Sequence, residues 1–308
     1  MSILIDKKTR FLIQGITGKQ GTRACHEMQE FGGKVVAGVT PGKGGEQVEG
    51  VPVYNTVKEA LQHHHVDASV LYIPPKFAKE AIIEAIEGGI SLLNVVTENI
   101  PIHDMAYCLA LVKQKGARIV GACSAGIYSV GKAKSGSIAG GKSRLAFTPG
   151  TIGVMSRSGG MSCETSLVLT QAGLGQSTVV SMGSDVLMGS TFLDFLPDFE
   201  KDSETEGLVI FGEIGGTAEE ELAAYLIQRR QSGNSYLKPI VAFISGKFAE
   251  AINVQNVSLG HAGAIIEGNK GTRKHKVKVL KEAGVIIAEV HHDLGRLMKQ
   301  TLNGISER

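Results

Sequence analysis

His261 stands in the run S-L-G-H-A-G-A, Ser258–Ala264. Gly260, Ala262 and Gly263 give the ring no steric cover, so this imidazole can move and accept a bulky group. Taken alone, a lone histidine is more often structural or solvated than catalytic. Glu213, in G-E-I-G-G-T at Gly212–Thr217, is a carboxylate at the end of an expected strand. Ligand sites of α/β sheets lie at that edge. Three further stretches have the character of anion sites. Q-G-I-T-G-K-Q-G-T, Gln14–Thr22, follows a strand and opens a helix, where backbone N–H groups can receive a phosphate. Its spacing is neither the dinucleotide G-x-G-x-x-G nor a Walker A loop. T-P-G-K-G-G, Thr40–Gly45, puts Lys43 where a nicotinamide enzyme would often offer an acid to a ribose hydroxyl. A cation there suits a ribose-linked phosphate and argues against simple NAD binding. S-R-S-G-G-M-S, Ser156–Ser162, sets small hydroxyl and glycine residues at a helix start. It lacks the flanking glycines and the ordered Ser–Asp–His set of a serine hydrolase.

The remaining titratable clusters are bland. His63–His65 end a helix and read as surface residues favoured by its dipole. His291 and His292 precede another helix and read as exposed. Neither cluster has a metal-site spacing. Cys25, Cys108, Cys123 and Cys163 are far apart with no C-x-x-C pair, so neither a disulfide framework nor a zinc site is expected. The six basic residues of Lys270–Glu282 read as a solvated helix face, since no aromatic accompanies them.

Elements that could position these residues alternate along the chain. Strands are expected at Phe11–Gln14, Lys34–Val39, Ala68–Ile73, Ser91–Val96 and Arg118–Gly121, with helices at Thr22–Phe31, Val57–His63, Ala78–Glu87 and Asp104–Lys115. Gly126–Pro149, rich in Gly, Ser and Lys, reads as a junction. Strands follow at Thr151–Met155, Ser177–Met182, Gly207–Phe211, Pro239–Ile244 and Val285–Ile287, with helices at Met161–Ala172, Phe192–Phe199, Ala218–Arg230 and Lys274–Ala283. Such alternation predicts an α/β fold of two doubly wound domains with parallel sheets. A length of 308 residues suits two domains, placed at 1–127 and 128–308. Net charge is +2, which gives no global field for nucleic acid or membrane. No stretch approaches the roughly 20 apolar residues of a membrane span, and the N-terminus does not read as a signal peptide. A cytoplasmic protein is the default. Glycine reaches 40 of 308, about twice the usual share, which predicts many tight turns and close ligand approaches.

In this order and spacing, together with G-H-A-G-A, the motifs resemble the alpha subunit of succinyl-CoA synthetase over nearly the whole chain. The related part of ATP-citrate lyase shares the arrangement. The resemblance implies a Rossmann-like CoA-binding domain followed by a flavodoxin-like ligase domain. It implies that Thr17, Gly18, Lys19 and Gln20 form a CoA loop, that Lys43 lies near the CoA phosphates, and that Val96, Thr97 and Glu98 contact CoA. It further implies that His261 is transiently phosphorylated, that Glu213 orients it, and that Ser158, Gly159 and Gly160 hold the phosphoryl group. ATP or GTP and Mg2+ would come with a beta-type partner subunit of nucleotide-grasp fold, because no second glycine-rich loop here suits a nucleotide.

Departures from that family bear on the acid. S-R-S-G-T-L-T-Y-E becomes Ser156–Glu164 with Cys163 in the tyrosine's place, and G-P-N-C-P-G becomes Gly121–Gly126 without the asparagine. G-G-D-P reads Gly183-Ser184-Asp185-Val186. S-R-S-G-G-M-S and Gly189–Phe192 are more similar to ATP-citrate lyase, and a stand-alone chain of this kind resembles the small subunit of citryl-CoA synthetase. Loss of a ring at Cys163 leaves room for a tricarboxylate, so citrate is the expected acid, ahead of succinate and malate. A Rossmann-type CoA-binding regulatory protein would explain only the first half. An NAD-dependent dehydrogenase is disfavoured by Lys43.

Overall fold

The computed structural model describes residues 2–248, 261–266 and 270–306. Its first sheet holds β1 (Arg10–Gln14), β2 (Lys34–Val39), β3 (Gln47–Val48), β4 (Val51–Tyr54), β5 (Ala68–Leu71), β6 (Leu92–Val95) and β7 (Arg118–Val120). The spatial order is β3-β4-β2-β1-β5-β6-β7. All pairs are parallel except the β3–β4 hairpin. α1 (Lys19–Glu30), α2 (Val57–His63), α3 (Pro75–Glu87) and α4 (Ile102–Lys115) supply the crossovers. Strand order reverses between β1 and β5, which opens a crevice at their carboxyl ends. The inner strands β5 and β6 are buried at every position, as strands covered on both faces must be.

The second sheet runs β14-β13-β12-β10-β11-β8-β9. Its strands are β8 (Gly126–Ser129), β9 (Ala133–Gly136), β10 (Pro149–Ser156), β11 (Gln176–Ser181), β12 (Gly207–Gly212), β13 (Ile240–Ile244) and β14 (Ile286–Ile287). Its helices among the described residues are α5 (Ser143–Ala146), α6 (Gly159–Gln171), α7 (Phe192–Lys201), α8 (Ala218–Gln231), α9 (Arg273–Glu282) and α10 (Asp293–Ser306). The segment β11-β10-β12-β13-β14 has the flavodoxin-like order, again reversing beside its first strand.

Gly126–Pro149 corrects the expectation of a junction. Its first half is a hairpin, β8 and β9, paired antiparallel with each other and with β11. A boundary at 127/128 therefore falls inside β8. Both strands are buried at every position and carry small residues, so neither shows the alternation that marks a strand in sequence. The β3–β4 hairpin was likewise invisible, at two and four residues. Five helices, α1, α3, α4, α6 and α9, begin one to three residues before their expected starts. α1 starts at Lys19 behind Gly18, and α6 starts at Gly159 because the Ser158 side chain caps it, accepting from the Met161 N–H at 3.4 Å.

Candidate active site

At the first crevice the β1–α1 loop is shaped by contacts that only glycine allows. Gly15 has φ +80°, and a Cβ there would lie 2.4 Å from the Tyr72 carbonyl oxygen. A Cβ on Gly21 would lie 2.2 Å from the Gly15 oxygen. The loop thus folds tightly over the start of α1. The Thr17 hydroxyl donates to Thr40 Oγ1 at 3.1 Å, and the Thr40 hydroxyl donates to the Val39 carbonyl at 2.8 Å. Gly18, Lys19 and Gln20 are exposed, and no acid stands in the helix's first turn. A 12-residue helix start with no acid in its first turn, beside a lysine, has the electrostatics to receive an anion. Next to it a cavity of about 810 Å3 is lined by Thr17, Gly18, Pro41, Ile73 and Phe77, among others. Lys43 stands apart from that lining, exposed and paired with Glu46 at 2.9 Å.

A second cavity, of about 700 Å3, lies where the two sheets meet. Gln20, Val96, Thr97 and Glu98 reach it from the first domain, and Ser158, Gly159, Gly160 and His261 from the second. Cys123, Ser124, Ala125 and Ser184 line it too, with Asn99 and the Tyr72–Pro75 segment. An adjoining space of about 400 Å3 is lined by Glu98, Asn99, Cys123, Ser184, Asp185, His261 and Ala262. There the Cys123 thiol faces Glu98 Oε2 at 3.5 Å and receives the Ser184 hydroxyl at 3.4 Å. Burial pushes that thiol up from its ordinary range. Asp185 is fixed by the Asn99 and Val186 N–H groups, each at 2.8 Å.

His261 Nδ1 lies 2.6 Å from Glu213 Oε2. A carboxylate only accepts, so Nδ1 carries the hydrogen and the lone pair of the neutral ring is left on Nε2. The hydrogen bond to Glu213 raises the pKa of His261, against burial and the nearby Arg157, which lower it. Glu213 is only 6% exposed and follows β12 directly. Its other oxygen faces Arg157 Nε at 3.5 Å. Opposite, Ser158–Gly160 form the open start of α6, whose 13 residues align their N–H groups toward the cavity wall. A Cβ on Gly160 would meet nothing within 4 Å.

The fold therefore gathers His261, Ser158–Gly160, Gln20 and Val96–Glu98 around one space, with Glu213 buried behind His261. Cys163 is not gathered: it packs against the core that includes Tyr128, Phe147 and Leu169, and it lines none of these cavities. Ser258–Gly260 of the histidine run lie outside the described residues. Three expectations are corrected. His291 is half-buried, edge-on to Phe211 and Phe243, with its Nε2 3.0 Å from the Thr165 hydroxyl. His64 bonds the Tyr54 hydroxyl at 2.8 Å rather than facing solvent alone. The basic run at Lys270–Glu282 is not a solvated face throughout, because Lys276 is 0% and Arg273 6% exposed. Glu219 and Lys276, which with Arg157 surround Glu213, carried no local signal in the sequence, and Arg157 lies in the Ser156–Ser162 run without being distinguished there. The described residues include no group of His, Cys, Asp and Glu that could hold a metal ion. No described helix is long and apolar enough to cross a membrane.

Comparison with known proteins matches a different family to each half of the chain. Residues 6–99 match the CoA binding domain family, and residues 155–286 match the CoA-ligase family. The chain is 40% identical over 300 residues to an ADP-forming sulfoacetate–CoA ligase subunit from Acholeplasma sp, covering 97% of this chain and 98% of the relative. It is 42% identical over 302 residues to the succinate–CoA ligase (ADP-forming) subunit alpha 1 of Archaeoglobus fulgidus, covering 98% and 99%. In three dimensions it is similar to ATP citrate lyase from Methanothrix soehngenii, solved with citrate and coenzyme A. That match has a TM-score of 0.90 at 24% identity and covers 99% of this chain, which spans about half (51%) of the lyase chain. Near-complete coverage at about 40% identity, on a fold that joins a CoA-binding to a CoA-ligase domain, places the chain in the succinate–CoA ligase alpha-subunit family of ADP-forming acid–thiol ligases.

Proposed function

We propose that this chain is the CoA-binding, phosphohistidine-carrying subunit of a carboxylate–CoA ligase that works with a nucleotide-binding beta-type partner. One observation carries the reading: the His261–Glu213 pair, at 2.6 Å, opens into the cavity that also holds Val96–Glu98 and the start of α6. Neutral His261 attacks the terminal phosphorus of ATP or GTP through Nε2, and the nucleoside diphosphate leaves. Glu213 holds the ring as the Nδ1–H tautomer throughout. The N–H groups at Ser158–Gly160 stabilise the phosphoryl charge. A carboxylate oxygen of the acid then takes the phosphoryl group from nitrogen, giving an acyl phosphate. The thiol of CoA attacks the acyl carbon, loses its proton, and phosphate leaves. Thr17–Gln20 and Val96–Glu98 would hold CoA, with Lys43 at its outer phosphates. Mg2+ would arrive with the nucleotide on the partner.

For the acid, a short dianion of the succinate or sulfoacetate class is the better reading, since the relatives' names join those acids to this family. Citrate drew support from space at Cys163, and that half-buried side chain packs against the core and lines neither cavity at His261. The test is hydroxamate formation by the complex with its partner on succinate, sulfoacetate, citrate and malate in parallel. Activity is expected mainly on the short dianions, with acid-labile phosphate on His261 and loss of ligation in His261→Ala while CoA still binds. Full ligation by His261→Ala would overturn the mechanism, and activity mainly on citrate would overturn the choice of acid.

A further inference from the structure

Four charged side chains lie buried behind the histidine, each from a different element. Arg157 follows β10 and is 2% exposed, Glu213 follows β12 and is 6% exposed, and Glu219 in α8 and Lys276 in α9 are both 0% exposed. Two are cations and two are anions. A lysine ammonium has three hydrogens to give. Those of Lys276 reach the Glu213 carbonyl at 2.8 Å, the Gly215 carbonyl at 2.6 Å and Glu219 Oε2 at 2.5 Å. Glu219 returns the grip, because its Oε1 accepts the Glu213 N–H at 3.1 Å. The backbone N–H and C=O of Glu213 are thus both held by one ion pair. Arg157 Nη1 donates to the Gly215 carbonyl at 2.8 Å and lies 3.8 Å from Glu219 Oε2. Its Nε faces the Glu213 oxygen that is turned away from His261.

The histidine loop rests on the same group. A Cβ on Gly263 would lie 3.2 Å from Arg157 Nη2 and 2.8 Å from the Asp185 oxygen. The Gly263 N–H donates to the Ser184 carbonyl at 3.0 Å. A buried ion pair is weak as a stabiliser, since apolar residues of similar volume often serve packing as well. Here the donors converge on one turn, residues 213–215, and that turn carries the carboxylate. We infer that Lys276, with Glu219 and Arg157, is a positioning residue that fixes this turn so that Glu213 meets His261. The inference rests on the phosphohistidine reading above.

Its test follows phosphohistidine formation from radiolabelled ATP against pH, in the complex with the partner subunit. Lys276→Met is compared with Lys134→Met, an equally buried lysine that pairs with Glu27 on the far side of α1. In Lys276→Met, phosphorylation is expected to slow by roughly 100-fold, the scale of an ångström of misplacement at a reacting group. The acid limb of its pH profile should also fall toward the ordinary histidine value, because Glu213 no longer raises His261, while CoA affinity is unchanged. Lys134→Met should lower thermal stability and keep the wild-type rate and profile. Glu219→Gln, which keeps the shape, is read in place of Lys276→Met if that variant does not fold, with the same direction expected. A folded variant with wild-type rate and limb, or an equal shift in Lys134→Met, overturns the inference. Absence of phosphate on His261 in the wild type instead overturns the reading beneath it.

Discussion

At the scale of single residues, two histidines do opposite things. Bonded to Glu213, His261 has its pKa raised. Its proton is therefore held more tightly in the fold than in the unfolded chain. That contribution to stability is complete below the ordinary value of 6.5 and is lost as pH rises through the raised native value. His291, beneath two phenylalanine rings, has its pKa lowered by burial. Its contribution is present above 6.5 and is lost as pH falls below it, because the unfolded chain then takes up the proton first. Melting temperature measured across pH should show both. His291→Gln should flatten the decline below 6.5, and His261→Asn should remove a slope above it. Unchanged slopes in both would contradict the two environments. The small neighbours of His261 made it legible in the sequence. His291 and Lys276 were misread because nothing local distinguishes a buried polar side chain from a solvated one.

At the scale of elements, the site depends on two helix starts, and their glycines are not equivalent. Gly21 lies inside α1 against the Gly15 carbonyl, so a methyl group would meet backbone at 2.2 Å. Backbone cannot step aside as a flexible side chain can. Gly21→Ala is expected to cost about 1–3 kcal/mol and to weaken CoA binding by distorting the loop. Gly160 at the start of α6 has open space around it, so Gly160→Ala should leave the melting temperature within error. Equilibrium unfolding and CoA titration of the pair decide the matter, and equal effects would refute the distinction. Most elements were legible because strand and helix periods alternate cleanly here. The exceptions are instructive: β8 and β9 are four residues each and buried at every position, so no period-2 pattern marks them.

At the scale of the whole molecule, loops from two separately wound domains line one cavity. The β8–β9 hairpin reaches back to the first domain, where β9 packs on α1. Lys134 on β9 is 0% exposed and meets Glu27 of α1 at 3.5 Å and Ser143 Oγ at 3.1 Å, with its ammonium over the Phe31 ring. The Tyr72 and Ser137 hydroxyls bond at 2.5 Å, and Arg118 pairs with Asp198 across the same divide. Lys134→Met strips that contact and should cost about 1–3 kcal/mol, the penalty for leaving buried acceptors unsatisfied. Arg23 still holds Glu27 at 2.8 Å, which limits the loss. Thermal unfolding of the variant checks it, and an unchanged melting temperature would deny Lys134 this stabilising role, which lies outside the cavity lining. The sequence by itself determined what is local: the strand and helix periods, the glycines that tight loops require, and the histidine set among small residues. Only the tertiary structure decided what is shared between distant segments. It joined Glu213 to His261 across 48 residues, buried Lys276 beneath them, and packed Cys163 against the core away from the cavity. Periodicity records which face of an element is apolar, whereas the pairing of charges depends on how the faces of different elements meet.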